Sequence, residues 1–156
     1  MHNYACGALS LPSGRRMRLT RHTDYALRVL IHLAAHPLEF SSIAEISRSF
    51  GISQNHLMKV VQHLAASGFV ATVRGRNGGL RLGRAPEAIN VGEVVRQTEE
   101  SFELVECGAC VIAPACGLSP VLDEALAAFL AVLDRYTLAD LSQRRRKLAS
   151  LLGLSG

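Results

Sequence analysis

Several features of membrane, secreted and metabolic proteins are missing from this sequence. Its apolar runs fall short of the roughly 18 residues that a transmembrane helix requires. The first 16 residues lack the basic-then-apolar order of a signal peptide. No glycine-rich nucleotide-binding motif follows a predicted strand, and no pair of side chains suggests a catalytic dyad. The sequence therefore predicts a cytoplasmic protein that is not an enzyme.

Cysteine is scarce and unevenly distributed. Three of the four cysteines, Cys107, Cys110 and Cys116, lie in one segment with C-x2-C-x5-C spacing, and the fourth is Cys6. No histidine is near this segment, since all six histidines lie within the first 63 residues. Glycine and proline residues between and beside the cysteines disfavour a regular helix. We therefore expect a loop with three thiolates, whose fourth ligand comes from elsewhere in the chain, a partner chain or solvent.

Three kinds of site are compatible with such a loop. A structural zinc site usually has four ligands in two pairs, and the second pair is missing here. A disulfide loop is disfavoured because three cysteines cannot pair evenly and nothing indicates secretion. An iron–sulfur cluster suits soft thiolates, and a cluster that lacks one cysteine ligand has an iron open to small molecules. Cys6 is either a fourth ligand or an incidental cysteine.

The net charge of +4 conceals two halves of opposite sign. Residues 1–84 contain eleven Lys/Arg and three Asp/Glu, which gives +8, whereas residues 85–156 contain six and ten, which gives −4. A basic half favours a polyanion such as nucleic acid, and an acidic half with apolar helices favours a protein partner or self-association.

The basic half has the pattern of a helix-turn-helix. A first helix capped by Thr20 or Thr23 is predicted to reach residue 36, and Ser41 or Ser42 begins a second helix over 43–50. After the turn at residues 51–52, Ser53 caps a third helix over 54–67. The polar residues on the outer side of this third helix are of the types that contact bases or phosphates: Gln54, Asn55, His56 and Lys59.

A β-hairpin is predicted directly after the third helix, which is typical of a winged helix. The strands span 69–73 and 80–82, and an Asn-Gly signal lies between them. The turn contains the candidate DNA-binding residues Arg74, Arg76 and Asn77, with Arg81 and Arg84 on the returning strand. Arginine at a hairpin tip suits phosphate or minor-groove contact.

The acidic half is predicted to be helical. Asn90 caps a helix over 91–99 with Glu93 in capping-box position, and Ser119-Pro120 begins a long helix to about residue 136. The apolar stripe of this long helix is too wide for one small domain to cover, which favours a homodimer. Thr137 caps a last helix over 138–152.

The predicted fold class is mainly α with a small β-hairpin wing: a winged helix-turn-helix domain, a long dimerisation helix and an iron–sulfur loop. The four predicted parts are a disordered extension (1–16), the winged helix-turn-helix DNA-binding domain (17–85), a linker helix with the cysteine loop (86–118), and the dimerisation and C-terminal helices (119–156). Met17 is an alternative start.

Five motifs in the same order resemble one family. They are MRLTRHTDYAL at 17–27, SQNH at 53–56, VRGRNGGLRLG at 73–83, CVIAPAC at 110–116 and YTLAD at 136–140. Together they resemble the nitric-oxide-sensing repressors of the winged-helix iron–sulfur regulator family, over about residues 17–148.

The resemblance implies a homodimeric repressor of double-stranded operator DNA that responds to nitric oxide. It implies a 2Fe–2S or 4Fe–4S cluster held by Cys107, Cys110 and Cys116. In some members the fourth ligand is an aspartate from the first helix of the partner subunit, and Asp24 occupies that position here. As a residue of the first helical turn, Asp24 is also favoured by the helix dipole alone.

The family usually has more residues between the first two cysteines than the two between Cys107 and Cys110. The cluster type and the fourth ligand therefore stay open. Two alternatives share the fold: a regulator that senses iron or cluster supply, and a zinc-stabilised DNA-binding protein.

Overall fold

The chain folds as a winged helix-turn-helix that continues into a helical C-terminal part. The computed structural model describes residues 18–76 and 78–154. Asn77 and Cys6 lie outside the described residues. The elements are α1 (Arg21–Ala35), α2 (Ile43–Phe50), α3 (Gln54–Ala66), β1 (Val70–Val73), β2 (Gly79–Leu82), α4 (Val91–Thr98), α5 (Leu118–Leu133), α6 (Leu138–Leu141) and α7 (Arg145–Leu151), with short 3-10 turns at Pro86–Ala88 and Ala113–Ala115.

Local capping fixes where the first three helices begin. The Thr20 side chain accepts from the backbone N–H of Thr23 at the start of α1. At the start of α2, Ser42 and Glu45 form a reciprocal capping box, with distances of 2.6 and 3.2 Å. This bonding lowers the pKa of Glu45, mainly through the Ser42 backbone N–H. Ser53 caps α3, as predicted.

Glycine ends α2 and allows the turn of the helix-turn-helix. Gly51 has φ of 65°, a left-handed conformation that a side chain would disfavour, and its N–H bonds to the Ser47 carbonyl. The chain can therefore reverse within residues 51–53 and start α3 at an angle to α2.

The predicted wing is present as an antiparallel hairpin. Val70 pairs with Leu82 and Val73 with Gly79, and residues 74–76 continue from the first strand as a loop. Ser41 adds a third short segment, because its N–H and C=O both bond to Leu80, at 3.0 and 2.8 Å. The hairpin is thereby attached to the chain between α1 and α2. The predicted mainly α fold with a β-hairpin wing is confirmed.

One hydrophobic core joins the helix-turn-helix to the segments that follow the wing. Phe69, Leu30, Leu57 and Leu64 are fully buried in it. The same cluster includes residues from after the wing, namely Ile89, Val94 and Leu138. Helices α4 and α6 therefore pack in the same core as α1.

Helix α4 is bonded to both the wing and α5. The predicted capping role of Glu93 is only half right, since Asn90 accepts the Glu93 N–H but the Glu93 carboxylate binds Arg84 beside the wing. At the contact between α4 and the end of α5, Arg96 donates two parallel hydrogen bonds to Asp134, of 2.6 and 2.7 Å. This pairing lowers the pKa of Asp134 and raises that of Arg96.

Helix α5 lies on the outside of the chain. It begins at Leu118, so Pro120 is its third residue rather than the predicted first; no hydrogen bond is lost, because the first four helical N–H groups lack intrahelical acceptors. None of its residues is fully buried. One stripe faces α4 and is half-buried, and it consists of Leu122, Leu126, Leu130 and Leu133. A second stripe is exposed and also apolar: Leu118, Val121, Ala125, Phe129 and Val132.

The predicted single helix over 138–152 is wrong, because it is divided at Ser142. The buried Ser142 hydroxyl donates to the Leu138 and Ala139 carbonyls, at 2.9 and 3.4 Å. Its backbone, with φ of −105° and ψ of 16°, leaves the helical range. A serine that bonds backwards in this way competes with the helix ladder. The chain turns and restarts as α7.

No helix within residues 18–76 and 78–154 combines the length and the apolar character needed to cross a membrane.

Candidate DNA-binding surface and cysteine loop

Helix α3 has one buried side and one exposed polar side. Its buried side chains anchor it in the core: Leu57, Val60, Val61 and Leu64. The predicted contact residues near its N-terminus are all exposed: Ser53, Gln54, Asn55, His56 and Lys59. Ser53 also caps the helix, so its hydroxyl accepts from His56 N–H at 3.4 Å. This side has the shape and composition to enter a DNA groove.

The arginines of the wing divide into two groups. Arg74 and Arg76 are exposed in the loop between the strands. Arg84 is instead held by Glu93 and lies over the Phe69 ring, 4.5 Å from its centroid. Arg84 therefore belongs to the packing between wing and α4, because the carboxylate and the ring hold its guanidinium in place. Sequence spacing alone could not separate it from the exposed arginines.

Residues of α1 that the sequence did not predict also border the recognition helix. Arg21 and Tyr25 line a small pocket together with His56 and Lys59. The Tyr25 and His56 rings are tilted against each other with centroids 6.3 Å apart. The available signal was the arginine and histidine at the start of α1, but only tertiary packing brings them beside α3.

The cysteine loop connects α4 to α5 and contains free thiols. Cys107 and Cys116 are half-buried and Cys110 is exposed. A tight turn links the first pair, because the Cys110 N–H donates to the Cys107 carbonyl at 3.2 Å. At the far end, the Leu118 N–H donates to Cys116 Sγ at 3.4 Å. This contact fixes the position of the Cys116 sulfur relative to the start of α5.

An open pocket of about 750 Å³ lies between the loop and the start of α5. Cys107 and Cys110 line it, together with Glu103, Glu106 and Asp123. In the described part of the chain, no three histidine, cysteine, aspartate or glutamate side chains are gathered closely enough to hold a metal ion. The thiols fit a soft metal in donor type, but the structure does not bring the three sulfurs to one point.

Asp24 lies on the first turn of α1, with its side chain 44% exposed. Both carboxylate oxygens accept from Arg28 Nε at 3.0 Å, and Arg28 Nη2 lies 3.0 Å from Oδ2. This i,i+4 ion pair is the contact that Asp24 makes within the described chain. To bind a metal, the Asp24 carboxylate would have to break its ion pair with Arg28. The side chain is exposed enough to be reached by a second subunit.

The fold and these residues define the class as a winged helix-turn-helix DNA-binding regulator with a cysteine loop attached to its core. Residues 19–144 match the model of the Rrf2 family, an iron-dependent transcriptional regulator. The chain belongs to the Rrf2 family.

Individual relatives agree with this assignment. The HTH-type transcriptional regulator NsrR of Bacillus subtilis (strain 168) is 56% identical over 142 residues, which are 87% of this chain and 97% of that protein. NsrR of Halalkalibacterium halodurans is 48% identical over 144 residues, 88% of this chain and 99% of that protein. The resemblance predicted from the five motifs is confirmed. These relatives are transcriptional regulators rather than enzymes.

Solved structures support the same fold. CymR (YrzC), the global cysteine regulator of B. subtilis, superposes with a TM-score of 0.65 at 29% identity, over 83% of this chain and 98% of that chain. T. potens IscR gives a TM-score of 0.68 at 26% identity, over 82% of this chain and 88% of that chain.

Proposed function

We propose that this chain is a homodimeric transcriptional repressor that binds operator DNA and releases it when nitric oxide attacks an iron–sulfur cluster on its cysteine loop. The observation that carries the proposal is the position of that loop. Its three thiols lie between α4, which packs in the core of the DNA-binding helices, and α5, whose exposed apolar stripe needs a partner. The NsrR relatives and the motif resemblance support nitric oxide as the signal.

The choice of the three cysteines rests on donor chemistry, and the choice of Asp24 rests on the family resemblance. Cys107, Cys110 and Cys116 would supply three soft thiolates, and Asp24 of a second subunit would supply the fourth donor. Both 2Fe–2S and 4Fe–4S clusters can be held in this way. When bound, such a cluster presents an iron with a weak oxygen ligand, which is reactive towards nitric oxide. The Leu118 N–H, which donates to Cys116 Sγ, would help to orient this ligand.

The residues around α4 supply the connection to DNA. Glu99, which leads into the cysteine loop, accepts the Thr20 N–H at 2.8 Å at the start of α1. Arg96 binds Asp134 at the end of α5. Rearrangement of the loop would therefore pull on the first helix of the DNA-binding domain and on the dimer helix together. In a dimer, this changes the spacing of the two recognition helices.

The roles on DNA follow residue type and exposure. Gln54, Asn55 and His56 would contact base edges, because these side chains donate and accept in groove-reading patterns. Ser53 would support them at the helix N-terminus. Lys59 and the wing residues Arg74, Arg76 and Asn77 would contact phosphate or the minor groove.

The test of ligation is a set of single cysteine-to-serine variants purified without oxygen. Cys107→Ser, Cys110→Ser and Cys116→Ser should each lose the stable visible absorbance of a cluster, because a three-thiolate site has no spare ligand. Cys6→Ser is the matched control and should keep the full spectrum. A loop variant that retains the unaltered spectrum and its response to nitric oxide would contradict the assignment.

Asp24→Ala tests the fourth ligand. It should leave a cluster that is more labile but not absent, since water or buffer can replace one weak oxygen donor. Cluster loss would be followed as the decay of absorbance with time. Unchanged lability would remove Asp24 from the ligand set.

The description of the family as iron-dependent favours a second candidate, a regulator that senses iron or cluster supply. The two differ in signal. Release of DNA on iron depletion but not on nitric oxide would favour the second, and zinc in place of iron in metal analysis would exclude both.

A further inference from the structure

The pocket between α1 and α3 has a distinct shape and composition. Its volume is about 140 Å³, and its walls are Arg21, His22 and Tyr25 from α1 and His56, Lys59 and Val60 from α3. Pockets for small-molecule ligands are usually about 300–1,000 Å³. This pocket is therefore suited to one group of a larger ligand rather than to a whole small molecule.

The lining favours an anion. Arg21 and Lys59 are permanent cations that approach from different helices, and no carboxylate lines the pocket. Arg21 and His22 are the first two residues of α1, and the carboxylate of Glu99 lies outside the pocket lining, where it accepts the Thr20 N–H at 2.8 Å. Tyr25 and His56 add polar ring atoms that can bond to oxygen.

A pair of histidines links α1 and α3, the two helices that form the walls of the pocket. His22 Nε2 lies 2.8 Å from His63 Nδ1, with ring centroids 5.0 Å apart, so the start of α1 is bonded to the far part of α3. Burial lowers the pKa of His22, and His63 lowers it further. Arg21 and Lys59 are the arginine and lysine side chains that line the pocket.

We propose that this pocket binds one backbone phosphate of duplex DNA, with Arg21 and Tyr25 as DNA-binding residues beyond those on α3 and the wing. The inference rests on the proposed function and deepens it. A phosphate held between α1 and the exposed side of α3 fixes the depth and the angle at which α3 enters the groove. Base contacts from Gln54 and Asn55 then occur in one register.

The test compares Arg21→Ala with Arg135→Ala, a matched control that removes an exposed arginine after α5, outside the pocket. Affinity for an operator duplex and for an unrelated duplex is measured over a series of salt concentrations. Arg21→Ala should weaken both by about tenfold, as expected for a hydrogen bond to a charged group. It should also flatten the slope of log affinity against log salt by about one unit, because one phosphate is no longer neutralised. Arg135→Ala should change neither.

Tyr25→Phe separates hydrogen bonding from charge. It should weaken binding about tenfold, as expected for a hydroxyl that bonds to a charged phosphate, with the salt slope unchanged because no charge is removed. Circular dichroism of each variant verifies that α1 is folded. Unaltered affinity and slope for Arg21→Ala would overturn the proposal.

An operator series with one uncharged methylphosphonate at a time identifies the phosphate. One position should weaken the unaltered protein strongly and Arg21→Ala little, because the variant has already lost that contact. Absence of any such position overturns the pocket assignment.

The two proposals can fail separately. If the unaltered protein binds both duplexes equally, the proposed operator function fails, while the salt slope of Arg21→Ala still reports on the pocket. If it binds neither duplex, both proposals fail.

Discussion

At the scale of single residues, His32 is the clearest departure from ordinary packing. It lies in α1 with no exposed surface, and neither ring nitrogen has a hydrogen-bond partner among residues 18–76 and 78–154. Burial lowers its pKa from 6.5, and the nearby carboxylate of Glu45 only partly opposes this. A buried group without a partner costs about 1–3 kcal/mol. The histidine therefore reduces the stability of the DNA-binding domain.

This predicts a pH dependence with a definite sign. Well above the ordinary pKa of 6.5, His32 binds no proton in either the folded or the unfolded state and contributes no pH dependence. Below pH 6.5 the unfolded state binds the proton more readily, so the free energy of unfolding falls as pH falls, by at most about 1.4 kcal/mol per pH unit.

His32→Leu should remove this dependence and raise the melting temperature at pH 7, since leucine fills a similar volume without unpaired nitrogens. Thermal unfolding of variant and unaltered protein between pH 5 and 7 provides the comparison. Parallel curves for the two proteins would show that His32 is not the group responsible.

At the scale of elements, the two apolar stripes of α5 are expected to have different roles. One packs within the subunit, and the other contacts a second copy. Leu126 belongs to the half-buried stripe that faces α4, whereas Phe129 is 43% exposed on the second stripe. Charge at Leu126 should therefore disturb folding of the subunit itself. Charge at Phe129 should disturb only the contact with a second copy.

Phe129→Glu should give a folded monomer at micromolar concentration, because a buried unpaired charge is unfavourable in an apolar interface. Ala127→Glu is the matched control: it adds the same charge to an exposed position about 160° away around the helix. Sedimentation should find dimers for the control and monomers for Phe129→Glu. A dimeric Phe129→Glu, or an unaltered protein that is a folded monomer, would contradict dimerisation through this stripe.

Elements governed by local chemistry were predictable from the sequence, and those governed by tertiary contacts were not. The caps at Ser42 and Ser53 were predicted because a serine and its bonded amide are neighbours in the chain. The division at Ser142 was missed because it depends on burial of the hydroxyl. The pairing of Arg84 with Glu93 was missed because it joins two elements that periodicity treats separately.

The candidate site was predictable to a similar extent. Spacing identified the cysteines, and helical periodicity identified the exposed side of α3. Arg21 and Tyr25 could not be found in this way, because their position beside Lys59 results from the packing of α1 on α3.

At the scale of the whole molecule, the distribution of charge and the order of the elements both separate the α3 and wing surface from the cysteine loop. The half with eight excess positive charges contains α3 and the wing, and the half with four excess negative charges contains the loop and α5. A basic surface attracts DNA over several ångströms, whereas an acidic surface is repelled by it. This polarity supports the proposal that α3 faces DNA and the cysteine loop lies away from it, so that control of binding acts through α4 rather than at the DNA contact itself.

The most direct test of that control is operator binding by cluster-loaded, cluster-free and nitric-oxide-treated protein, measured at one salt concentration. If the loop and α4 govern the recognition helices, the loaded form should bind about 5–150-fold more tightly than the other two, the range of coupling between linked sites. Equal affinity of all three forms would contradict the central claim, whatever cluster the cysteines hold.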